Sequence, residues 1–422
     1  MEKILIVEDS KVISSYLNRK IHANIDIDCD TKIISSFKDL KELFKVDKNF
    51  DIALVDINLS DVSDLSLIDF LLENHIPSIV MTANFDEKLY MQLKNKKIID
   101  FVLKDSMASL EYIVTLTARI LHNKHKTVLV VDDSKTSLNH IRNFLERHLY
   151  KVALEDDPKK ALDTISSQNI SLVVVDYYMP NMKGTDLIQE IRKYHSKDEV
   201  EIIGISSDEK SAIHFLKYGA NDFIRKPFEI EEFLHRVNNL SQQLDNIEYL
   251  KNIVNTDFLT KIYNRKYFFE EGKKYFDKSK NEHSTFCVAM IDIDDFKRVN
   301  DTFGHDVGDI AIKTIANILK EKTKGDDIVA RFGGEEFAVI LKDISLENSI
   351  KMFESICKEV SEKKIYIEDD KSINITVSIG ITNKKEESLQ KMLKVADERL
   401  YIAKNSGKNK VVYEDVAETV EL

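Results

Sequence analysis

The sequence predicts an α/β chain: two doubly wound domains on parallel sheets, followed by an α+β domain of a different kind. Three observations carry this. Short apolar strands ending in polar residues recur at nearly one offset through the first half of the 422 residues. Helical patterns lie between these strands, and alternating β and α segments imply a parallel sheet covered on both faces. Beyond Asp257 the repeat stops, and two β-type runs flank Gly333-Gly334. At roughly 100–200 residues per domain, this length holds two to four domains.

The repeat is read element by element. Ile4–Val7 is an apolar run ending in Glu8-Asp9-Ser10, and Val128–Val131 ends in Asp132-Asp133-Ser134. Each reads as a buried strand followed at once by a helix. The second strand ends at Asp56 in one copy and Asp176 in the other. The third ends in a hydroxyl, Thr82 or Ser206. The fourth ends at a lysine, Lys104 or Lys226. The offsets are 133−9=124, 176−56=120, 206−82=124 and 226−104=122. Four polar landmarks at nearly one offset are an internal repeat.

All these polar groups sit at carboxyl ends of strands, which in an open α/β sheet converge on one crevice. Clustered carboxylates repel one another. A hard divalent cation such as Mg²⁺ relieves this and leaves a carboxylate free to attack phosphorus. The hydroxyl and the lysine can hydrogen-bond the incoming phosphoryl oxygens. This is the outline of an aspartyl-phosphate site.

On these residues both repeats resemble receiver domains of two-component response regulators. The resemblance implies flavodoxin-like (CheY-like) folds over residues 1–123 and 126–243. It implies phospho-acceptors at Asp56 and Asp176, each completing a site for Mg²⁺ (or Mn²⁺) with Glu8 and Asp9 or with Asp132 and Asp133. Thr82, Lys104, Ser206 and Lys226 become the phosphoryl-sensing switch residues, with Phe101 and Phe223 as switch aromatics. The implied partner is a histidine kinase or a small phosphodonor. The copies are unequal. The second keeps Asp176, Met179, Pro180 and Gly184 in the family's pattern, and Pro227 follows Lys226, where the family has a cis peptide bond. The first has Leu59-Ser60 and Asp64 at the matching places, Asp105 after Lys104, and its hydroxyl 26 rather than 30 residues past the acceptor (82−56 against 206−176). This leaves the first copy as either a weaker acceptor or a dimerisation adaptor.

Residues 229–256 contain no Gly or Pro. Phe233, Val237, Leu240, Leu244, Ile247 and Val254 follow heptad-like steps. The segment reads as a linker helix, either pairing with its copy in a dimer or packing on its own domain.

The last third, residues 257–416, opens on Asp257-Phe258-Leu259-Thr260. An apolar strand, Phe286–Ile291, runs into Asp292-Ile293-Asp294-Asp295-Phe296-Lys297. Asn300 and Asp309 follow, then Arg331-Phe332-Gly333-Gly334-Glu335-Glu336-Phe337 between two β-type runs. The Gly pair reads as a two-residue hairpin turn. If the strands are neighbours, Asp292 and Glu335 face one cleft and can share a cation with nucleotide phosphates. The glycines lack Cβ, so their backbone can approach a ligand closely. An amide and a carboxylate, such as Asn300 and Asp309, can complement the edge of guanine.

These motifs resemble GGDEF domains, in the GGEEF form, over about 160 residues, giving the chain the receiver–receiver–GGDEF arrangement of PleD-type response regulators. The resemblance implies a nucleotidyl-cyclase-like core and the condensation of two GTP into cyclic di-GMP with release of two pyrophosphates. By carry-over, Asp292, Glu335 and the Ile293 carbonyl hold Mg²⁺ or Mn²⁺. Asn300 and Asp309 read guanine, with Gly333 and Gly334 beside the substrate. Lys297, Lys404 and Lys408 contact phosphates. Glu335 is the base for the attacking 3′-hydroxyl, with Glu336 supporting the site. Such domains react as homodimers, each holding one GTP. Many carry an Arg-x-x-Asp inhibitory site for product. Here Lys324 and Asp327 stand at its ends, and lysine lacks the planar two-pronged contact of arginine. Weak or absent product inhibition is expected. The alternative is a catalytically silent adaptor that binds GTP or cyclic di-GMP.

Composition narrows the remaining classes. The net charge of −12 and the lack of a basic stripe argue against a nucleic-acid partner. Cys29, Cys287 and Cys357 form no metal or disulfide spacing. No stretch is long and apolar enough for a membrane span, so a cytoplasmic protein is expected. Gly is scarce at 11 residues, none before Gly184 and eight at Gly272 or later. Several fall inside the nucleotide-binding motifs, where the backbone must come close to phosphate.

Overall fold

The computed structural model describes residues 1–24, 27–62, 64–84, 87–94, 96–208, 210–282, 285–323, 325, 327–367 and 372–414. It divides into two units, Met1–Ile247 and Glu248–Leu422.

The first unit holds two five-stranded parallel sheets. Strands β1 (Glu2–Val7), β2 (Cys29–Ile34), β3 (Ile52–Asp56), β4 (Ser78–Thr82) and β5 (Asp100–Leu103) are ordered β2-β1-β3-β4-β5. Strands β6 (Thr127–Val131), β7 (Lys151–Glu155), β8 (Leu172–Asp176), β9 (Glu201–Ser206) and β10 (Asp222–Arg225) repeat that order as β7-β6-β8-β9-β10. These are the flavodoxin-like folds expected from the repeat. Every residue of β3, β4, β8 and β9 is buried. A strand covered by helices on both faces has no solvent side, so it reads as a continuous apolar run. Helix starts follow local chemistry. The Ser134 hydroxyl accepts from Ser137 N at the start of Lys135–Arg147, and the Asp157 carboxylate accepts from Lys159 N ahead of Pro158.

The helix Ile230–Asn255 continues from the second sheet. Phe233, Val237 and Leu240 are buried in the core of that domain, whereas Tyr249, Leu250, Ile253 and Val254 are exposed. The heptad seam therefore divides. Its first half packs on its own domain, because Phe233, Val237 and Leu240 share one core with residues of β6, β8, β9 and β10. An apolar stripe is left only beyond Ile247.

A polar junction joins the two domains of the first unit. Arg119 and Lys126 both pair with Asp245 on the long helix, and Lys126 Nζ donates to the Ser241 carbonyl at 2.6 Å. His148 donates from Nε2 to the Ile99 carbonyl at 3.3 Å and accepts at Nδ1 from Asn238. Burial pushes the His148 pKa down to about 4, so the imidazole is neutral. Leu149 packs against the core of the first sheet. Beside it lies a cleft of about 620 Å³ lined by Ile98, Phe101 and Tyr112 from one domain and by Arg147, Leu234 and His235 from the other.

Glu201 is buried near this junction, and burial pushes its pKa up to about 8, with Lys126 and Arg192 opposing the rise. The folded state thus holds a proton between about pH 4.5 and 8 that the unfolded chain has released. Stability falls as pH rises through that window. Glu201→Gln is expected to match the wild type near pH 4.5 and to exceed it by up to about 4 kcal/mol at pH 8. Urea denaturation at the two pH values checks this, and equal stability at pH 8 would count against it.

The second unit is built on a six-stranded mixed sheet ordered β11-β13-β14-β12-β17-β18. Its strands are β11 (Tyr263–Asn264), β12 (Phe286–Ile293), β13 (Ile328–Gly333), β14 (Glu336–Lys342), β17 (Val377–Thr382) and β18 (Val411–Val412). A separate pair, β15 (Ile365–Tyr366) and β16 (Ser372–Ile373), stands outside it. Strand β12 is central, antiparallel to both β14 and β17, and buried along its whole length. Apolar cores fill both faces. Among the described residues no helix is long and apolar enough to cross a membrane.

Candidate functional site

In the first domain the strand order brings the ends of β1, β3, β4 and β5 together. Lys104 Nζ donates to Asp56 Oδ2 at 2.6 Å and to Glu8 Oε2 at 2.7 Å. Carboxylate oxygens of Glu8, Asp9 and Asp56 lie within 4.8 Å of one another. Glu8 is almost fully buried, and burial raises its pKa against the opposing effect of Lys104. Burial alone would lower the Lys104 pKa, but its two carboxylate partners more than offset that. Thr82 is buried at the end of β4 and accepts from Asn58 Nδ2 at 3.0 Å.

The second domain repeats the lysine contacts, whereas among the described residues only Glu8, Asp9 and Asp56 bring three acids within 4.8 Å of one another. Lys226 Nζ donates to Asp176 Oδ1 at 2.6 Å and to Asp132 Oδ2 at 3.0 Å. Asp133 is exposed beside them. Burial raises the Asp176 pKa and Lys226 opposes the rise. Ser206 is buried at the end of β9, with its hydroxyl on Ser211. The Lys226–Pro227 peptide is cis. A Cβ on Gly184 would lie 2.2 Å from the Asp176 carbonyl, so the loop after Asp176 closes on backbone that only glycine permits. The first copy builds its loop differently. Asp61 caps the Phe37 and Lys38 amides there. The carboxylates converge all the same, because strand ends position them rather than the loop.

In the second unit the cleft forms where β12 ends. Asp292 lies opposite Glu336 in the β12–β14 ladder. Gly333 pairs with Glu336 after a bulge, so the two turn residues are Gly334 and Glu335 rather than the two glycines. Gly334 has φ +51°, and the turn is open to solvent. Burial pushes the Asp292 pKa up to about 6. Lys404, at 2.7 Å, works against the rise, and Glu335 and Glu336 add to it. Ile293 is the last residue of the strand. Lys408 pairs with Asp295 at 2.6 Å. The helix Leu389–Asn405 and the turn after it thus deliver two cations to this cleft. Asn300 lies in the helix Phe296–Phe303, and Asp309 lies in the next helix, His305–Lys322. Lys297 is exposed near the start of the first of these helices. The donors around Asp292 are hard oxygens, the kind that a hard divalent cation takes.

Two further residues organise the cleft; both lie within the sequence motifs, which assign them no role. Asp294 is buried. It accepts from Thr376 Oγ1 at 2.7 Å, from Ser378 Oγ at 2.6 Å and from Asn409 N at 3.0 Å. Arg331 donates to the Gly334 carbonyl at 2.8 and 2.9 Å and to Asp257 Oδ1 at 3.0 Å. Their partners lie far away in sequence or on the backbone, so only the fold reveals them. Of the pair read as an inhibitory site, Lys324 lies outside the described residues. Asp327 accepts from Lys342 N at 2.9 Å.

Comparison with known proteins agrees with this geometry. Residues 254–410 match the family model described as the diguanylate cyclase GGDEF domain, and residues 128–238 match the response regulator receiver domain. A solved two-component system response regulator/GGDEF domain protein is 35% identical, with a TM-score of 0.53. The match covers 58% of this chain and all of that one. The response regulator PleD of Caulobacter vibrioides is 30% identical over 297 residues, 68% of this chain. Diguanylate cyclase A of Treponema denticola is 40% identical over 167 residues, 38% of this chain and 45% of its own length. Over residues 128–238 and 254–410 the chain is similar to response regulators that carry a GGDEF domain. It spans 65% of the length of PleD.

Proposed function

We propose that the chain is a phosphorylation-regulated diguanylate cyclase with two receiver domains, 1–123 and 126–243, and a cyclase domain over 257–416. The observation that carries this is the cleft where β12 ends, which gathers Asp292, Glu335 and Glu336 with Lys404 beside a glycine turn. Asn300 and Asp309 bind the guanine of GTP by complementary hydrogen bonds. Asp292, Glu335 and the Ile293 carbonyl hold Mg²⁺ or Mn²⁺, which when bound supplies positive charge to the triphosphate. Lys404, Lys408 and Lys297 are the cations available to the phosphates. The open Gly333-Gly334 backbone lets the phosphates approach. Glu335 accepts the proton of the attacking 3′-hydroxyl, and Glu336 keeps the site negative enough to need a cation. Two chains must meet, because each cleft holds one of the two reacting GTP molecules, and proximity supplies the rate. The exposed Leu250 and Val254 on the long helix are suited to that pairing.

Asp56 and Asp176 accept phosphoryl groups from a histidine kinase or a small phosphodonor in the cytoplasm. Glu8 with Asp9, and Asp132 with Asp133, hold the cation in each receiver. Thr82 with Lys104, and Ser206 with Lys226, read the product. The carboxylate cluster of the first receiver supports an acceptor there as well, despite its departures in sequence.

The test is direct. Purified full-length chain is incubated with GTP and Mg²⁺, with and without beryllofluoride, and the nucleotides are separated. Cyclic di-GMP is expected, with at least about a tenfold rise on beryllofluoride. With a small phosphodonor, intact-mass measurement is expected to record phosphoryl groups on both receivers. Asp56→Asn and Asp176→Asn should each lose one. A chain that leaves GTP unconverted in both states would refute the cyclase reading.

A further inference from the structure

Asn300 and Gly308 meet where the helices Phe296–Phe303 and His305–Lys322 pack together. Gly308 is the fourth residue of its helix and has no left-handed φ, so no turn calls for it. Glycine in a helix is disfavoured by about 1 kcal/mol relative to alanine. What excludes a side chain is Asn300: a Cβ on Gly308 would lie 2.0 Å from Asn300 Oδ1 and 3.1 Å from its Cγ. That Oδ1 is itself buried and accepts no hydrogen bond. An acceptor left in this state is unfavourable by about 1–3 kcal/mol. A helical glycine and an unsatisfied carbonyl thus coincide at one contact. Local rules broken together mark functional positions.

The Cα–H bond that a Cβ would replace points at Oδ1. A carbonyl can face it as a weak C–H···O contact, whereas an amide N–H cannot use it. We propose that Gly308 is a positioning residue for base recognition. It seats the Asn300 carbonyl against the helix, so that Asn300 meets the ligand only as a hydrogen-bond donor. Asp309, the next residue, is acceptor only. The pair therefore asks for a base edge with an acceptor beside a donor in that order. A 6-oxopurine offers this with O6 beside N1–H, while adenine presents the reverse order. This inference rests on the reading of the cleft as a GTP site and adds how the base is selected.

The experiment uses the full-length chain in two assays. One is GTP turnover. The other is equilibrium binding of a GTP analogue with a methylene bridge between the α and β phosphates. Gly308→Ala is expected to raise KM and the analogue Kd by about tenfold, with kcat changed less than about threefold. Its Tm should not fall, since Asn300 can swing out and alanine favours the helix. In an Asn300→Ala background the same substitution should change the Kd by less than about twofold, because the colliding oxygen is gone and only the Phe296 ring edge, 3.1 Å away, must yield. Asn300→Asp tests the donor separately: an isosteric group without N–H should weaken the analogue by at least about tenfold. The inference is overturned if Gly308→Ala binds like the wild type, if the two substitutions multiply independently, or if Asn300→Asp retains affinity. A wild-type chain that binds no analogue overturns the cyclase reading and this inference together. Normal wild-type binding with an indifferent Gly308 overturns the inference alone.

Discussion

Glu335→Gln in the full-length chain is expected to lower cyclic di-GMP formation by about three orders of magnitude. The substitution keeps size and shape and removes one negative charge. Glu335 occupies the second position of a solvent-facing turn, so its loss takes little from the fold. On the proposed reading the chemical loss is large, because the same carboxylate would hold the cation and receive the proton. Asp292 reports the change independently. Its pKa of about 6 is raised in part by Glu335 and should fall when that charge is removed. Chromatography of the nucleotides measures the first effect, and a melting curve checks the fold. Glu336→Gln, in the ladder opposite Asp292, should lose only about tenfold. A Glu335→Gln enzyme retaining a tenth of wild-type turnover would remove Glu335 from both roles.

Gly380→Ala is expected to destabilise the second unit by at least about 3 kcal/mol. A Cβ there would lie 2.1 Å from the Ala396 carbonyl oxygen and 2.2 Å from the Leu400 amide nitrogen. Both atoms are backbone of the helix Leu389–Asn405, so no side chain can rotate away. The helix must lift from β17, and it carries Lys404, which sits on Asp292. Stability and turnover should therefore fall together. Urea denaturation followed by far-UV circular dichroism measures the first. A variant within 1 kcal/mol of the wild type would mean that the helix tolerates displacement from the sheet.

Much of the architecture was legible because parallel strands buried on both faces leave no polar break until they end. Those polar ends are the acid pockets, which is why Asp56, Lys104, Asp176 and Lys226 could be paired by offset alone. Other features were not legible, for physical reasons. Phe233, Val237 and Leu240 have the same periodicity whether they face their own sheet or a second helix. The hairpin turn falls one residue later than the glycines suggest, because a bulge between Arg331 and Gly333 shifts the register. Asp294 and Arg331 lie within the motifs, but their roles could not be read there, since their partners are backbone atoms and distant side chains. The loop of the first acid pocket lacks the glycine and proline of the second, yet its carboxylates still converge. Strand ends bring carboxylates together whatever the loop between them.

The junction at Asp245 bears on how the chain can be dissected. One carboxylate on the long helix pairs with both Arg119 from the first domain and Lys126 from the join. His148, from the second domain, completes its hydrogen bonding on the Ile99 carbonyl of the first. The two domains are therefore not interchangeable modules. A fragment that begins after the first domain would strip Asp245 of Arg119, open His148 to water and expose the apolar surface around Leu149. Any change in its activity would mix lost regulation with a damaged scaffold. Single-atom changes at the acceptors, such as Asp56→Asn, leave that shared surface intact and are the cleaner instrument for asking what each domain says to the next.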